Sequence, residues 1–169
     1  LMNNGRALVD MRDVSISFGT VQVLNGVNFD IRAGEVHALM GENGAGKSTL
    51  MKILTGIYRA DNGILEIDGR PAEVKSPTDA QKLGIAIIHQ ELNLLPEMTV
   101  AENFFLGREW VKGGVLQKNA MQDAANKHLQ ALQANFTAND YIKDLSVGQQ
   151  QLVEIARALS ADAKVIIMD

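Results

Sequence analysis

The sequence contains no cysteine, so disulfide bonds, zinc sites built from cysteines and thiol-based catalysis are excluded. It has no apolar run close to the roughly 18 residues that a membrane-spanning helix requires, and it has no internal repeat. Positive charge is not in excess either, because 16 Lys and Arg residues stand against 20 Asp and Glu residues, a formal net charge of −4. This balance gives no support to a nucleic-acid partner, which favours a basic patch.

The composition is that of a globular domain with a hydrophobic core, since 46% of the 169 residues are hydrophobic and 21% are charged. Apolar or alternating segments predict strands at residues 7–18, 20–32, 35–40, 64–68, 85–89 and 164–168. Helical patterns cover residues 47–54, 78–83, 99–105, 120–136 and 146–160, and the glycines of 107–118 predict a loop.

Hydrophobic strands separated by helices predict an α/β fold with a parallel-sheet core covered on both faces. An antiparallel β region precedes this core in the sequence. We divide the chain into residues 1–90 as the β region and core, residues 91–160 as a helical subdomain, and residues 161–169 as the return to the core with its last strand.

A phosphate-binding loop is the strongest motif in the sequence. Residues 41–48 read Gly-Glu-Asn-Gly-Ala-Gly-Lys-Ser and fit G-x-x-x-x-G-K-[ST] between a predicted strand and a predicted helix. Glycines let successive backbone N–H groups point into one concavity that holds phosphate oxygens, and the following helix adds its positive end. Lys47 brings a charge to the β- and γ-phosphates, and Ser48 offers Mg²⁺ a hydroxyl oxygen. The sequence therefore predicts a P-loop NTPase with ATP and Mg²⁺ as cofactors.

A second motif completes the predicted metal site. The apolar segment 165–168 is followed by Asp169, and the carboxyl ends of parallel strands are where such sheets bind ligands. We expect Asp169 to hold the magnesium, through a water molecule, on the side opposite Ser48.

A third motif, Leu145-Ser146-Val147-Gly148-Gln149, precedes a predicted helix. The order of the phosphate loop, Gln90, this motif and the acidic strand end resembles that of the ABC ATPases, whose signature motif is Leu-Ser-Gly-Gly-Gln. The resemblance covers nearly the whole chain, from about residue 9 to residue 169. Val147 stands where the family usually has glycine, at a position where many relatives vary. The chain is thus similar to a partial ABC nucleotide-binding domain over residues 1–169.

The resemblance implies a role for each matched residue. Phe18 stands where the family has an aromatic ring that stacks on adenine, with a plain core position as the alternative. Gln90 resembles the glutamine that touches the metal and the attacking water. The implied catalytic residues are Lys47, Gln90 and Asp169, and the implied metal ligands are Ser48, Gln90 and Asp169. The implied nucleotide-binding residues are Phe18, Gly41, Glu42, Asn43, Gly44, Ala45, Gly46, Lys47, Ser48 and Thr49, with Ser146, Gly148 and Gln149 acting on ATP bound to an opposing domain.

The amino-acid sequence of residues 87–94, 98–103 and 106–109 is similar to that of bacterial monosaccharide importers of the ribose, galactose and xylose type. This resemblance implies an ATPase that powers sugar import from the cytoplasmic face of the inner membrane, bound there peripherally. Its implied partners are transmembrane permease subunits and a second nucleotide-binding domain, with a periplasmic sugar-binding protein acting indirectly and no nucleic acid involved. Such subunits usually carry two ATPase halves, and this sequence resembles part of the first.

The sequence ends at Asp169, and in the family the next residue is a glutamate that polarises the attacking water. We therefore expect a chain of only these residues to hydrolyse ATP very slowly and to bind nucleotide weakly, if at all.

Two other functions compete with sugar import. A soluble ABC ATPase of translation or DNA repair is disfavoured by the negative net charge and by the importer-like sequence after Gln90. A P-loop kinase is disfavoured by the signature-like motif at 145–149. His37 lies inside an apolar segment, and we expect it to be a buried structural histidine rather than a catalyst.

Overall fold

The computed structural model describes residues 7–88 and 92–168. These residues form two units, one ending at Ala86 and the other beginning at Ile87. The first unit contains β1 (Ala7–Phe18), β2 (Val21–Arg32), α1 (Lys47–Leu54), β3 (Asn62–Ile67), β4 (Arg70–Pro71), α2 (Pro77–Lys82) and the start of β5 (Ile85–Ile88). The second contains the end of β5, α3 (Val100–Phe105), β6 (Val111–Lys112), β7 (Val115–Leu116), α4 (Lys118–Ala131), a 3₁₀ turn (Ile142–Asp144), α5 (Val147–Ser160) and β8 (Val165–Met168).

The first unit is built on an antiparallel sheet in the order β2-β1-β3-β4, which confirms the predicted antiparallel β region. Strand β1 buries Val9 and Met11, then shifts register at a bulge that contains Asp13 with φ 54°. The extra residue resets the alternation of the strand, so that Val14 and Ile16 are buried as well. One long strand thereby keeps an apolar face toward the core along its whole length.

The turn between β3 and β4 confirms the predicted hairpin. Asp68 and Gly69 both have positive φ, 52° and 65°, as a type I′ turn requires, and this turn matches the twist of the strands that it joins. Helix α2 agrees with its prediction too, and its N-cap residue is Ser76, whose hydroxyl accepts a hydrogen bond from the Asp79 N–H. A hydrogen bond from that same hydroxyl lowers the pKa of Asp79 below its ordinary value.

The predicted buried strand at residues 35–40 is wrong. This segment has no strand structure, Val36 is fully exposed and Met40 is 87% exposed. A buried strand needs hydrogen-bonded neighbours as well as apolar residues, and within residues 7–88 and 92–168 no strand pairs with this segment. His37 is therefore exposed rather than buried. Its ring lies 3.0 Å from the Glu35 carboxylate and contacts the Phe29 ring edge-on, with centroids 5.0 Å apart.

The second unit is a helical cluster around one apolar core. Side chains from α3, α4, α5 and the segments between them are buried together: Leu94, Val100, Ala101, Phe104, Phe105, Met121, Ala125, Leu129, Ala138, Ile142, Leu145, Val153 and Ala156. Strand β8 and the end of β5 belong to a two-stranded sheet. The longest helices that the structure describes, α4 and α5, have 14 residues each, and no described helix is long and apolar enough to cross a membrane.

Two details of this unit differ from the sequence prediction. Helix α4 ends at Ala131 instead of residue 136, because Gln133 takes a positive φ of 54° and the Ala134 N–H turns back to the Leu129 carbonyl. The predicted loop of 107–118 contains a small hairpin in which β6 pairs with β7. The helices α3 and α5 begin within one residue of their predicted starts.

Candidate nucleotide-binding site

The phosphate loop of the first unit ends at an uncapped helix. Gly46, the residue before α1, is in the left-handed conformation with φ 84° and ψ 3°, and no side chain caps the helix. The first hydrogen bond of α1 is the one that the Leu50 N–H donates to the Gly46 carbonyl at 2.9 Å. The N–H groups of Lys47, Ser48 and Thr49 precede it, so they lack intrahelical acceptors and are available to an anion.

The residue before α1 must also be glycine because there is no room for a side chain. A Cβ atom on Gly46 would lie 2.5 Å from the Leu24 side chain and 3.2 Å from the Val23 carbonyl oxygen on β2. The close packing of this glycine on β2 fixes where α1 begins. The start of the helix is thus set by the sheet, although the loop that leads to it, residues 41–45, is exposed.

The ammonium group of Lys47 lies beside the loop that it follows. Its Nζ donates hydrogen bonds to the carbonyl oxygens of Gly41 and Glu42, at 2.6 and 2.7 Å, and the Ala45 N–H closes the loop on Glu42 at 3.1 Å. These contacts hold a positive charge at the loop that leads into α1. Such an arrangement can bind a polyphosphate, whose oxygens accept charge-assisted hydrogen bonds.

The donor set suits a hard cation near the phosphates. Ser48 lies on the exposed first turn of α1, and hydroxyl oxygen is a ligand type that Mg²⁺ accepts alongside phosphate oxygens. The other predicted metal ligands, Gln90 and Asp169, lie outside the residues that the structure describes. Among the described residues there is no group of three or more His, Asp or Glu side chains that could hold a metal ion.

The aromatic ring predicted to stack on adenine is accessible. Phe18, at the end of β1, is 44% exposed, so the alternative of a plain core position is not supported. Its ring contacts that of Tyr58, with centroids 5.1 Å apart and planes at 65°. Phe18 and the phosphate loop belong to the same unit, as binding of one nucleotide by both requires.

The signature motif closes on itself at the start of α5. The Ser146 hydroxyl accepts the Gln149 N–H at 3.4 Å, and the Gln149 side-chain oxygen accepts the Ser146 N–H at 2.8 Å, which together form a capping box. Gln149 also donates to the Asn135 side chain at 3.0 Å. Gly148 has open space around it. The two polar signature side chains are therefore engaged with their own helix, and the Val147 and Gly148 N–H groups remain available.

Several residues around the site were missed by sequence reasoning. The capping box at 146–149 has a signal, the S-x-x-Q spacing, as does Thr99 with Glu102 in α3. The contact of Gln149 with Asn135 and that of Phe18 with Tyr58 join positions far apart in the sequence. No local pattern marks such pairs, because they depend on how the elements pack.

Comparison with known proteins places the chain in a family. The family model described as ABC transporter matches residues 24–169. A solved ATP-binding cassette of an ABC transporter, in its ADP conformation, superposes with a TM-score of 0.80 at 30% identity, covering 95% of this chain and 67% of that one. These matches confirm the predicted fold class, a P-loop NTPase with an antiparallel β region and a helical part.

Curated relatives are similar over almost the whole chain. A ribose import ATP-binding protein from Chromobacterium violaceum is 56% identical over 162 residues, which are 95% of this chain and 32% of that protein. The protein of the same name from Bacillus licheniformis is 53% identical over 162 residues, 95% of this chain and 33% of its own length. The chain thus spans about a third of the length of the relatives that it matches.

Proposed function

Because this chain belongs to the ABC transporter family, we propose that it binds Mg·ATP as part of an ATPase that powers the import of a monosaccharide. The relatives named ribose import ATP-binding proteins support the class of transported molecule. The observation that carries the nucleotide site is the uncapped start of α1 with its free N–H groups, together with the Lys47 ammonium at the loop that leads into this helix.

In the proposed site, each residue of the chain has a separate task. The loop residues 41–49 surround the phosphates with backbone N–H groups, and Lys47 exchanges its two carbonyl partners for β- and γ-phosphate oxygens. Gln90 orients the attacking water, and Phe18 stacks on adenine. Bound Mg²⁺, held by Ser48, Gln90 and Asp169, supplies positive charge next to the phosphates. Catalysis of in-line phosphoryl transfer to water is then mainly positioning and charge stabilisation.

The proposed assembly needs a second nucleotide-binding domain. The signature residues Ser146, Gly148 and Gln149 contact the γ-phosphate of ATP held by that opposing domain, where the start of α5 favours an anion. Because Ser146 and Gln149 cap their own helix here, the Val147 and Gly148 N–H groups are the first donors to reach the phosphate. The assembly acts with transmembrane permease subunits at the cytoplasmic face of the inner membrane, and a periplasmic sugar-binding protein delivers the sugar to those subunits.

We retain the division into a β region with the phosphate-binding core (1–90), a helical subdomain (91–160) and a return to the core (161–169) as part of this proposal. The helical segment carries the signature motif, and the core carries the phosphate loop.

The experiment that tests the proposal compares Lys47→Ala with Lys82→Ala in the complete protein. Lys82 lies in the last turn of α2 and serves as the matched loss of one lysine in the same unit. We expect Lys47→Ala to lower ATP turnover by about 100-fold or more, as removal of one transition-state donor does, and Lys82→Ala to leave turnover unchanged. Equal turnover and equal ATP affinity in the wild type and Lys47→Ala would overturn the proposal.

A further inference from the structure

Tyr58 is an aromatic residue that the proposed mechanism does not use. It lies next to Phe18, the residue that is predicted to stack on adenine. Its ring meets that of Phe18 in an edge-to-face contact, with centroids 5.1 Å apart. In such a contact the edge of one ring meets the face of the other. Whichever ring contributes its edge, Tyr58 covers at most one face of Phe18, and Phe18 as a whole is 44% exposed.

Tyr58 is fastened to the helix that begins at the phosphate loop. The N–H groups of Ile57 and Tyr58 both donate to the Lys52 carbonyl in α1, at 2.8 and 3.0 Å. The Lys52 ammonium lies over the Tyr58 ring, 5.3 Å from its centroid. Backbone and side chain therefore both fix the tyrosine relative to α1, whose first turn is the proposed phosphate site.

The segment 57–61, which contains Tyr58, is also hydrogen-bonded to β1, the strand that ends in Phe18. The Asp61 N–H donates to the Ser15 carbonyl at 2.9 Å, and the Asp61 carboxylate accepts the Ser17 N–H at 2.8 Å. These bonds join the segment 57–61 to the last residues of β1. Tyr58 thus lies in a connection that runs from α1 through this segment to Phe18, entirely within the first unit.

We propose that Tyr58 is a nucleotide-positioning residue, which holds the Phe18 ring at a fixed orientation relative to the phosphate loop so that base and phosphates are bound together. This inference rests on the proposed function, since it assumes that Phe18 stacks on adenine. Tyr58 acts through Phe18 and does not itself touch the phosphates. Its loss removes an aromatic pair contact that orients the stacking ring.

The test measures the affinity of the complete protein for two ligands, Mg·ATP and magnesium tripolyphosphate, by titration calorimetry. Tripolyphosphate carries the phosphates without the base, so it reports on the loop and α1 alone. We expect Tyr58→Ala to weaken ATP binding by about two- to tenfold and to leave tripolyphosphate binding unchanged. Tyr58→Phe keeps the ring and should bind ATP as the wild type does.

The matched control is Tyr141→Ala. Tyr141 is a tyrosine of the second unit that is more exposed than Tyr58, and the Lys143 ammonium lies 5.5 Å from its ring centroid. Removing it deletes the same groups elsewhere in the chain, and ATP affinity should not change.

A double-mutant cycle separates positioning of Phe18 from independent effects. We expect Phe18→Ala to weaken ATP binding by at least about fivefold, and Tyr58→Ala to add nothing in that background. An equal cost of Tyr58→Ala with and without Phe18, or an equal loss of tripolyphosphate binding, would overturn the inference. If Phe18→Ala acts and Tyr58→Ala does not, this inference alone fails. If tripolyphosphate does not bind the wild type, the proposed phosphate site itself fails.

Discussion

The starts of α1 and α5 are both predicted to face ATP phosphates, yet the chain builds them in opposite ways. Before α1 stands Gly46, which has no side chain to cap the helix, so the first N–H groups are left for a ligand. Before α5 stands Ser146, which forms a capping box with Gln149 and uses the N–H groups of both residues. One helix end is open for an anion, and at the other the side chains of the capping box satisfy two of the first four N–H groups.

This difference indicates which site can bind nucleotide within one chain. Uncapped N–H groups at a helix start can donate to an anion directly, whereas a capped N–H group must first lose its side-chain acceptor. At α5 the cap already satisfies two of the donors, so an added phosphate gains less unless the opposing domain brings it close. The structure therefore supports α1 as the primary phosphate site and α5 as a secondary one.

The largest expected effect comes from placing a side chain at the residue before α1. In Gly46→Ser, the new side chain lies at a left-handed backbone position and within 2.5 Å of the Leu24 side chain. We expect a stability loss of about 1–3 kcal/mol from this strain. Because the clash with Leu24 displaces the start of α1, its N–H groups lose their alignment with a charged ligand, and tripolyphosphate binding should weaken by about 10- to 150-fold. Thermal unfolding and calorimetry on the complete protein measure both.

Gly148→Ala is the stability control for that change. Gly148 has no neighbouring atom that would meet an added Cβ, and it lies inside the first turn of α5, where alanine is the better helix former. Its stability should be unchanged or slightly higher. Equal destabilisation by the two substitutions would mean that the special backbone of Gly46 is not what distinguishes the two helix starts.

The next effect concerns the middle of α5, which is tied to the segment before α3. The Glu154 side chain is 6% exposed, and its carboxylate accepts the Asn93 N–H at 3.1 Å. Glu154→Ala removes this hydrogen bond to a charged group, and we expect the unfolding free energy to fall by about 1.5–3 kcal/mol. Glu154→Gln keeps an oxygen at the same place and should lose much less. Urea denaturation of the two variants compares them, and equal losses would show that the hydrogen bond contributes nothing.

A smaller effect is expected from opening the start of α5. Ser146→Ala removes the side chain that accepts the Gln149 N–H, and loss of such a cap costs about 1 kcal/mol. Ser146→Asn retains a capping oxygen and should restore most of the stability. If Ser146→Ala is as stable as the wild type, the capping box does not hold α5, and the contrast with α1 disappears.

The smallest effect is a pH dependence that separates the two capping boxes of the second unit. Glu102 caps α3, and the hydrogen bonds it accepts from the Thr99 N–H and then the Thr99 hydroxyl lower the pKa of its carboxyl despite partial burial. A lowered folded-state pKa means that this stabilisation is complete above the unfolded-state pKa of the carboxyl. It is lost as the pH falls through the folded-state value. The Gln149 box does not titrate.

Melting temperatures measured between about pH 6 and pH 3 test this with Glu102→Gln. The variant keeps the box and should lose stability less steeply than the wild type on acidification. Parallel pH profiles for the two proteins would show that the Glu102 carboxylate gives no pH-dependent stability.

Local patterns predicted much of this structure, since α1, the Asp68-Gly69 hairpin and the starts of α3 and α5 all agree with the sequence. Each is determined by a few adjacent residues, through glycine, turn or cap chemistry. The strand prediction for residues 35–40 was wrong because an apolar run cannot show whether a hydrogen-bonded partner strand lies beside it. The predicted end of α4 was wrong because no local sequence pattern indicates that Gln133 takes a left-handed conformation.

The candidate site divides in the same way. Residues 41–48 and the motif 145–149 could be found from spacing alone. The capping of Ser146 by Gln149 could have been found from the S-x-x-Q spacing. The contact of Tyr58 with Phe18 spans 40 positions of the sequence, and only the packing of α1 against the sheet brings those rings together.

The most direct test of the account is hydrogen–deuterium exchange, measured by mass spectrometry on the complete protein with and without magnesium tripolyphosphate. Exposed N–H groups exchange freely until a ligand accepts their hydrogen bonds. We predict slower exchange in residues 41–49 when tripolyphosphate is bound, a smaller change or none in residues 146–149, and no change in Lys47→Ala. Unchanged exchange in residues 41–49 at saturating ligand would contradict the claim that the start of α1 is the phosphate site.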